Sequence, residues 1–137
     1  MANSTTTQIL LDGPRNVVVK FEGVLDTSDL ASTVVLDPAT LQGIDFSGKV
    51  KAKDLQIMEV QFVVEDLLSV NLFWDATTPV RIEEFVGRGR SKYRDFGGLI
   101  NNAGAGVTGK ITATTQGWTA GAVLSFSLVI TCIKTAT

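Results

Sequence analysis

The sequence predicts an all-β protein, an antiparallel β-sandwich of jelly-roll type with about eight strands. Three observations predict it. Apolar and polar residues alternate with a period of two in most segments, turn dipeptides separate those segments, and no long helical period occurs. An immunoglobulin-like sandwich fits the same strand count and stays open on these grounds.

Residues 1–8 read Met-Ala-Asn-Ser-Thr-Thr-Thr-Gln, a polar stretch that predicts a flexible N-terminal arm ahead of a single domain at 9–137. Ile9–Leu11 is a first short strand. In Arg15–Leu25, Val17, Val19, Phe21 and Leu25 share one face, with Lys20 and Glu22 on the other. Thr33–Leu36 is again short, and Pro38–Gly43 allows a helical turn with Pro38 at its first position. Over 55–64, Met58, Val60, Phe62 and Val64 line one face against Glu59 and Gln61. Val70, Leu72 and Trp74 alternate with Ser69, Asn71 and Phe73, and Val80–Phe85 follows. In Val107–Thr114, Ile111 and Ala113 alternate with threonines. The last segment is the clearest: Leu124, Phe126, Leu128, Ile130 and Cys132 face one way, Ser125, Ser127 and Thr131 the other. Asp12-Gly13-Pro14, Asp37-Pro38, Ser47-Gly48, Thr78-Pro79, Gly97-Gly98, Ala103-Gly104 and Gln116-Gly117 mark turns between the runs.

Composition removes several function classes. The 137 residues suit one domain that buries about two-thirds of its unfolded surface. With 45% hydrophobic and 19% charged residues, the chain is not built for disorder. It has no histidine, which takes away the usual neutral-pH base, the commonest transition-metal ligand and every Ser-His or Cys-His device. Its single cysteine, Cys132, forms neither an internal disulfide nor a cysteine cluster for zinc, and reads as a buried thiol. No apolar run reaches membrane-span length, and the first residues lack the basic and apolar regions of a signal peptide. No cofactor and no membrane are expected, and synthesis in a cytoplasm is.

Three strings look like enzyme signatures and lack the context that chemistry needs. Gly104-Ala-Gly106-Val-Thr-Gly109 matches G-x-G-x-x-G, yet a Thr-rich alternating segment follows it where a dinucleotide site needs a helix. The ribose-binding acid expected about 20 residues on is replaced by Leu128-Val129-Ile130. Asn101-Asn102-Ala103-Gly104 resembles a dehydrogenase string, but no Tyr-x-x-x-Lys pair exists. The region reads better as a Gly/Asn loop that uses positive φ. Glu83-Glu84 and Glu65-Asp66 are carboxylate pairs, but adjacent strand residues point to opposite faces, so solvated surface charge is the better reading.

Charge is distributed unevenly. Residues 1–75 carry five basic and eleven acidic side chains, whereas residues 76–137 carry seven and three. Arg88, Arg90, Lys92 and Arg94 recur at spacing two, so an extended segment projects all four from one face. This row predicts a contact stripe for an acidic protein surface, with nucleic-acid phosphates the weaker alternative. The structural counter-reading is a charged edge strand that blocks unwanted pairing, with Glu83, Glu84 and Asp95 as local partners. Trp118, beside Gly117, is a further candidate contact residue or a lid over one end of the sandwich, and Trp74 is expected in the core.

The block Phe73-Trp-Asp-Ala-Thr-Thr-Pro-Val-Arg-Ile-Glu-Glu-Phe85, continuing into Tyr93-Arg-Asp-Phe-Gly-Gly-Leu-Ile-Asn-Asn-Ala-Gly-Ala-Gly-Val-Thr-Gly109, resembles small virion structural proteins of tailed bacteriophages, of the head decoration (cement) type. The likeness covers about 40 central residues and the general form of a short, Thr/Gly/Val-rich β protein. It implies a non-enzymatic protein of the virion exterior that binds the major capsid protein and stabilises the shell. It also implies self-association, as a homotrimer. Contacts are then expected at 88–94 and in the arm. A tail-tube or connector subunit is one alternative. A carbohydrate-binding sandwich that uses Tyr93 and Trp118 as a ring platform is another.

Overall fold

The period-two segments form strands, and the nesting of their pairs makes the fold. The computed structural model describes residues 3–44 and 50–135. In chain order the strands are β1 (Ser4–Asp12), β2 (Asn16–Leu25), β3 (Thr33–Leu36), β4 (Asp54–Val64), β5 (Ser69–Trp74), β6 (Val80–Phe85), β7 (Arg88–Lys92), β8 (Ile111–Gln116) and β9 (Leu124–Thr135). Short 3-10 turns lie at Pro38–Thr40 and Arg94–Phe96. Antiparallel pairs β2–β9, β3–β8, β4–β7 and β5–β6 sit one inside the next along the chain. Such nesting is one long hairpin rolled into two sheets, which is the jelly roll and not the immunoglobulin-like alternative. Pairs β4–β9 and β5–β8 close the roll, giving the orders β1-β2-β9-β4-β7 and β3-β8-β5-β6. No helix among the described residues is long and apolar enough to cross a membrane.

The core lies between the sheets and takes the apolar face of each period-two strand. Val17, Val19, Phe21 and Leu25 of β2 and Phe126, Leu128, Ile130 and Cys132 of β9 are buried there. Val70, Leu72, Trp74, Phe85, Ile111 and Ala113 of the smaller sheet belong to the same cluster. A side chain such as Phe21, fully buried, is worth roughly 3–5 kcal/mol against its truncation to Ala. Gly23 stands opposite Phe126 in the β2–β9 register, and a Cβ there would lie 2.8 Å from the Phe126 ring. The missing side chain is what admits the ring, which packs 5.6 Å from that of Phe21.

Four segments differ from the sequence expectation. Residues 4–8, expected in a flexible arm, run in β1 and pair in register with β2. Asn3 ties them down further: its Oδ1 accepts from the backbone N–H of Asp26 and Thr27, both at 3.0 Å. The arm carries no alternating pattern because β1 overhangs the smaller sheet and is wetted on both faces. In β4, a register shift between Ile57 and Glu59 makes Met58 an extra residue, so Leu55 and Ile57 join Val60 and Val64 in the core. The strand expected from Val107 begins at Ile111. β7 is a ninth strand, beyond the eight that alternation marks.

One buried cation closes an end of the sandwich. Lys134 of β9 is almost wholly buried, and its Nζ donates to Asp12 Oδ1 (2.6 Å), Gly13 O (2.7 Å) and Gln42 O (2.8 Å). Asp12 Oδ2 in turn accepts from the Gln42 N–H at 2.9 Å. One ammonium thus joins the last strand, the β1–β2 turn and the segment after β3. Removing it strands a carboxylate and two carbonyls. Lys134→Met is expected to lose about 3 kcal/mol of stability, read as a lower urea midpoint at unchanged m-value. A midpoint equal to the parent's would show that the clamp is dispensable.

Candidate partner-contact surface

The surface starts from the pairing of β4 with β7, which puts Arg88 opposite Val63, Arg90 opposite Gln61 and Lys92 opposite Glu59. Facing residues of an antiparallel pair share a side of the sheet. Val63 and Gln61 are exposed, while Val60 and Val64 are in the core, so the three cations stand on the outer face. Arg90 Nε lies 3.7 Å from Glu59 Oε2, an exposed pair worth at most about 1 kcal/mol. Gly89 points inward, where a Cβ would meet the Phe62 ring at 3.2 Å, and Phe62 packs 5.0 Å from Phe85 across the sandwich.

Arg94 does not join the row. The chain leaves the strand at Tyr93 and enters a 3-10 turn that begins at Arg94, so three of the four expected cations are aligned. The expected local acids also differ. Glu59 of β4 is the ion partner of Arg90, and Glu83 accepts a hydrogen bond from the Tyr93 hydroxyl at 3.0 Å. That bond links β6 of one sheet to the end of β7 in the other.

A groove of about 690 Å³ opens on the same outer face, beside Arg88. Successive pairings run Thr6, Glu22, Ser127, Val63, Arg88 across all five strands. In the central strand β9 this face carries Ser127 and Ser125, whose short side chains leave a trough between Glu22 and Arg88. Glu65 borders it and accepts from Ser125 Oγ at 2.9 Å. The trough is mixed in character: Val24 and Val63 line it beside Thr6 and the two serines, with Glu22 on one side of β9 and Arg88 and Glu65 on the other. Its signal in the sequence was the polar face of the last strand, which marked solvent exposure but no depth.

Trp118 is anchored in place. Its backbone N–H donates to Asp29 Oδ1 at 3.0 Å, its indole Nε1 donates to Ala122 O at 3.0 Å, and its ring packs partly buried against the core. It is the lid of its loop. Tyr93 is buried as well, so the two rings do not form an exposed platform. The Gly104–Gly109 loop has positive φ at Gly106 and Gly109 and leads into β8, not into a helix. Glu83 and Glu84 point to opposite sides: Glu84 stands opposite Asn71, itself buried, while Glu83 stands opposite core Leu72 and reaches Tyr93.

Two groups near the core have shifted acidities. Burial, reinforced by the hydrogen bond to Glu83, pushes the Tyr93 phenol from 10.0 up to about 12. Burial alone pushes the Cys132 thiol from 9.0 to about 12. Comparison with known proteins finds no matching family model, no matching curated protein and no matching solved structure.

Both shifts raise a folded pKa above its unfolded value. Their contribution to stability is complete below the unfolded pKa and is lost as pH rises through the folded one. Tyr93 is the only tyrosine, so tyrosinate absorbance reads it alone and is expected to titrate near 12 while the fold holds. A native midpoint at 10 would contradict its burial. Cys132 is expected to resist thiol reagents at neutral pH until the chain is unfolded, when one equivalent reacts.

Proposed function

We propose that this chain is a non-enzymatic virion structural protein that decorates the outside of a bacteriophage head. In this reading it binds the major capsid protein through the outer face of its larger sheet and so stabilises the shell. The observation that carries the reading is the alignment of Arg88, Arg90 and Lys92 on one exposed sheet face beside a trough. A decoration protein needs a rigid scaffold that offers a fixed charge pattern to a repeating acidic surface, and a β-sheet face holds such a pattern at fixed spacing. The resemblance of residues 73–109 to cement proteins gives the shell as the partner, and the virion exterior as the location.

The test is co-sedimentation with head particles that lack their decoration, at low and high salt. Arg88→Glu, Arg90→Glu and Lys92→Glu together are expected to weaken association at least about tenfold, since like charges then face each other across the contact. The melting temperature should move by only a few degrees, because surface pairs contribute little. Arg94→Glu, off the row, should weaken it far less. A triple variant that sediments like its parent would remove the outer face as the contact, and a parent that binds no head particle would remove the proposed function.

A further inference from the structure

The two sheets have four edge strands, and three of them carry features that oppose pairing with another chain. β3 is four residues long with a register shift, and β6 has a register shift and bears Arg81, Glu83 and Glu84. β7 is five residues long and bears Arg88, Arg90 and Lys92. Short length, irregular register and charge are the means by which edges are kept apart. β1 has none of them over Ser4–Ile9: it is nine residues long, in register with β2 from Ser4 to Ile9, and uncharged from Ser4 to Leu11. It is also exposed on both faces, with Ile9, Leu10 and Leu11 each 43–50% accessible.

We infer that β1 is a self-association edge, pairing antiparallel with β1 of a second copy about a two-fold axis to make one ten-stranded sheet. The second copy is the occupant for three reasons. Each of its other edges carries the opposing features, so β1 is the one edge it can offer. Over Ser4–Leu11 the strand has no charge to repel its own image, its one acid, Asp12, is held at the far end by Lys134, and the nearest charges on β2, Lys20 and Glu22, are 3.8 Å apart and balance each other. The Thr5-Thr6-Thr7 run also sets threonines across from threonines in any register centred on it, a favourable cross-strand pair. A two-fold pairing is isologous and closes at two, unlike the trimer implied by resemblance.

Size sets the strength. The six residues from Ser4 to Ile9 span about 20 Å, and a strip roughly 10 Å wide buries about 200 Å² per copy, against about 800 Å² for a standard interface. The dimer is therefore weak and concentration-dependent. The inference does not rest on shell binding.

Sedimentation velocity from about 10 μM to 1 mM is the test, a range that covers weak association. The parent should shift from monomer to dimer across it. Thr5→Lys with Thr7→Lys places four ammonium groups along the shared edge, and should abolish the shift while the melting temperature stays within a few degrees. Single cysteines at positions 5, 6, 7 and 8, each beside the inert Cys132, should give an oxidised dimer at one or two neighbouring sites, those nearest the axis. A parent that stays monomeric, a trimer, a dimer that survives both lysines, or cross-linking equal at all four sites would each overturn the inference.

Discussion

The position of β9 between β2 and β4 is the constraint on which the rest of the molecule depends. Its twelve residues pair along nearly their whole length on both sides, and its inward row from Phe126 to Cys132 crosses the middle of the core. The strand lies at the far end of the chain from β2, so the outermost pair of the roll forms only after more than a hundred residues are brought together. Contacts of that range cost chain entropy before they return burial, and they make a slow-folding topology. Lys134 reinforces this closure, because the last strand then holds the first turn by an ion pair and the Gly13 carbonyl, and the segment after β3 by the Gln42 carbonyl, as well as by its ladder.

The outer face of the larger sheet follows from the same strand. Because β9 must be apolar inward, its alternate residues face solvent, and Ser125 and Ser127 there are too short to fill the space between Glu22 and Arg88. The trough and the cationic row are thus two consequences of one register. A one-residue slip of β7 would turn Arg88, Arg90 and Lys92 toward Phe62 and the core, at a desolvation cost no edge strand could meet. Gly89 beneath the Phe62 ring and Tyr93 bonded to Glu83 hold the register that keeps the cations outside.

The two edges of the larger sheet are chemically opposite. One is short and cationic, the other long, uncharged from Ser4 to Leu11 and rich in threonine. A sheet with one guarded and one unguarded edge has a direction in which it can grow, and that direction lies away from the charged row. Shell contact and self-pairing, as proposed, therefore centre on opposite edges of one sheet, the cations of β7 and the backbone edge of β1.

The sequence by itself determined the fold class and most of the strands, because the core strands carry apolar residues on one face and polar ones on the other and so write their pattern at period two. It also determined that Trp74 and Cys132 are interior, and that Glu83 and Glu84 diverge. Wherever a strand lacks a dry side, the pattern vanishes: β1 overhangs the smaller sheet and read as an arm, and the short cationic β7 read as a stripe or loop. The bulge at Met58 moved a row by one residue, which no periodicity reveals in advance. Only the tertiary structure decided that the pairs nest as a jelly roll, that Arg94 leaves the row and that Glu59 is the ion partner of Arg90. It also decided that two serines make a trough and that Lys134 is buried. Each of these depends on which distant residue lies opposite. Pairing between strands is set by the packing of whole faces, and a chain read one residue at a time does not contain it.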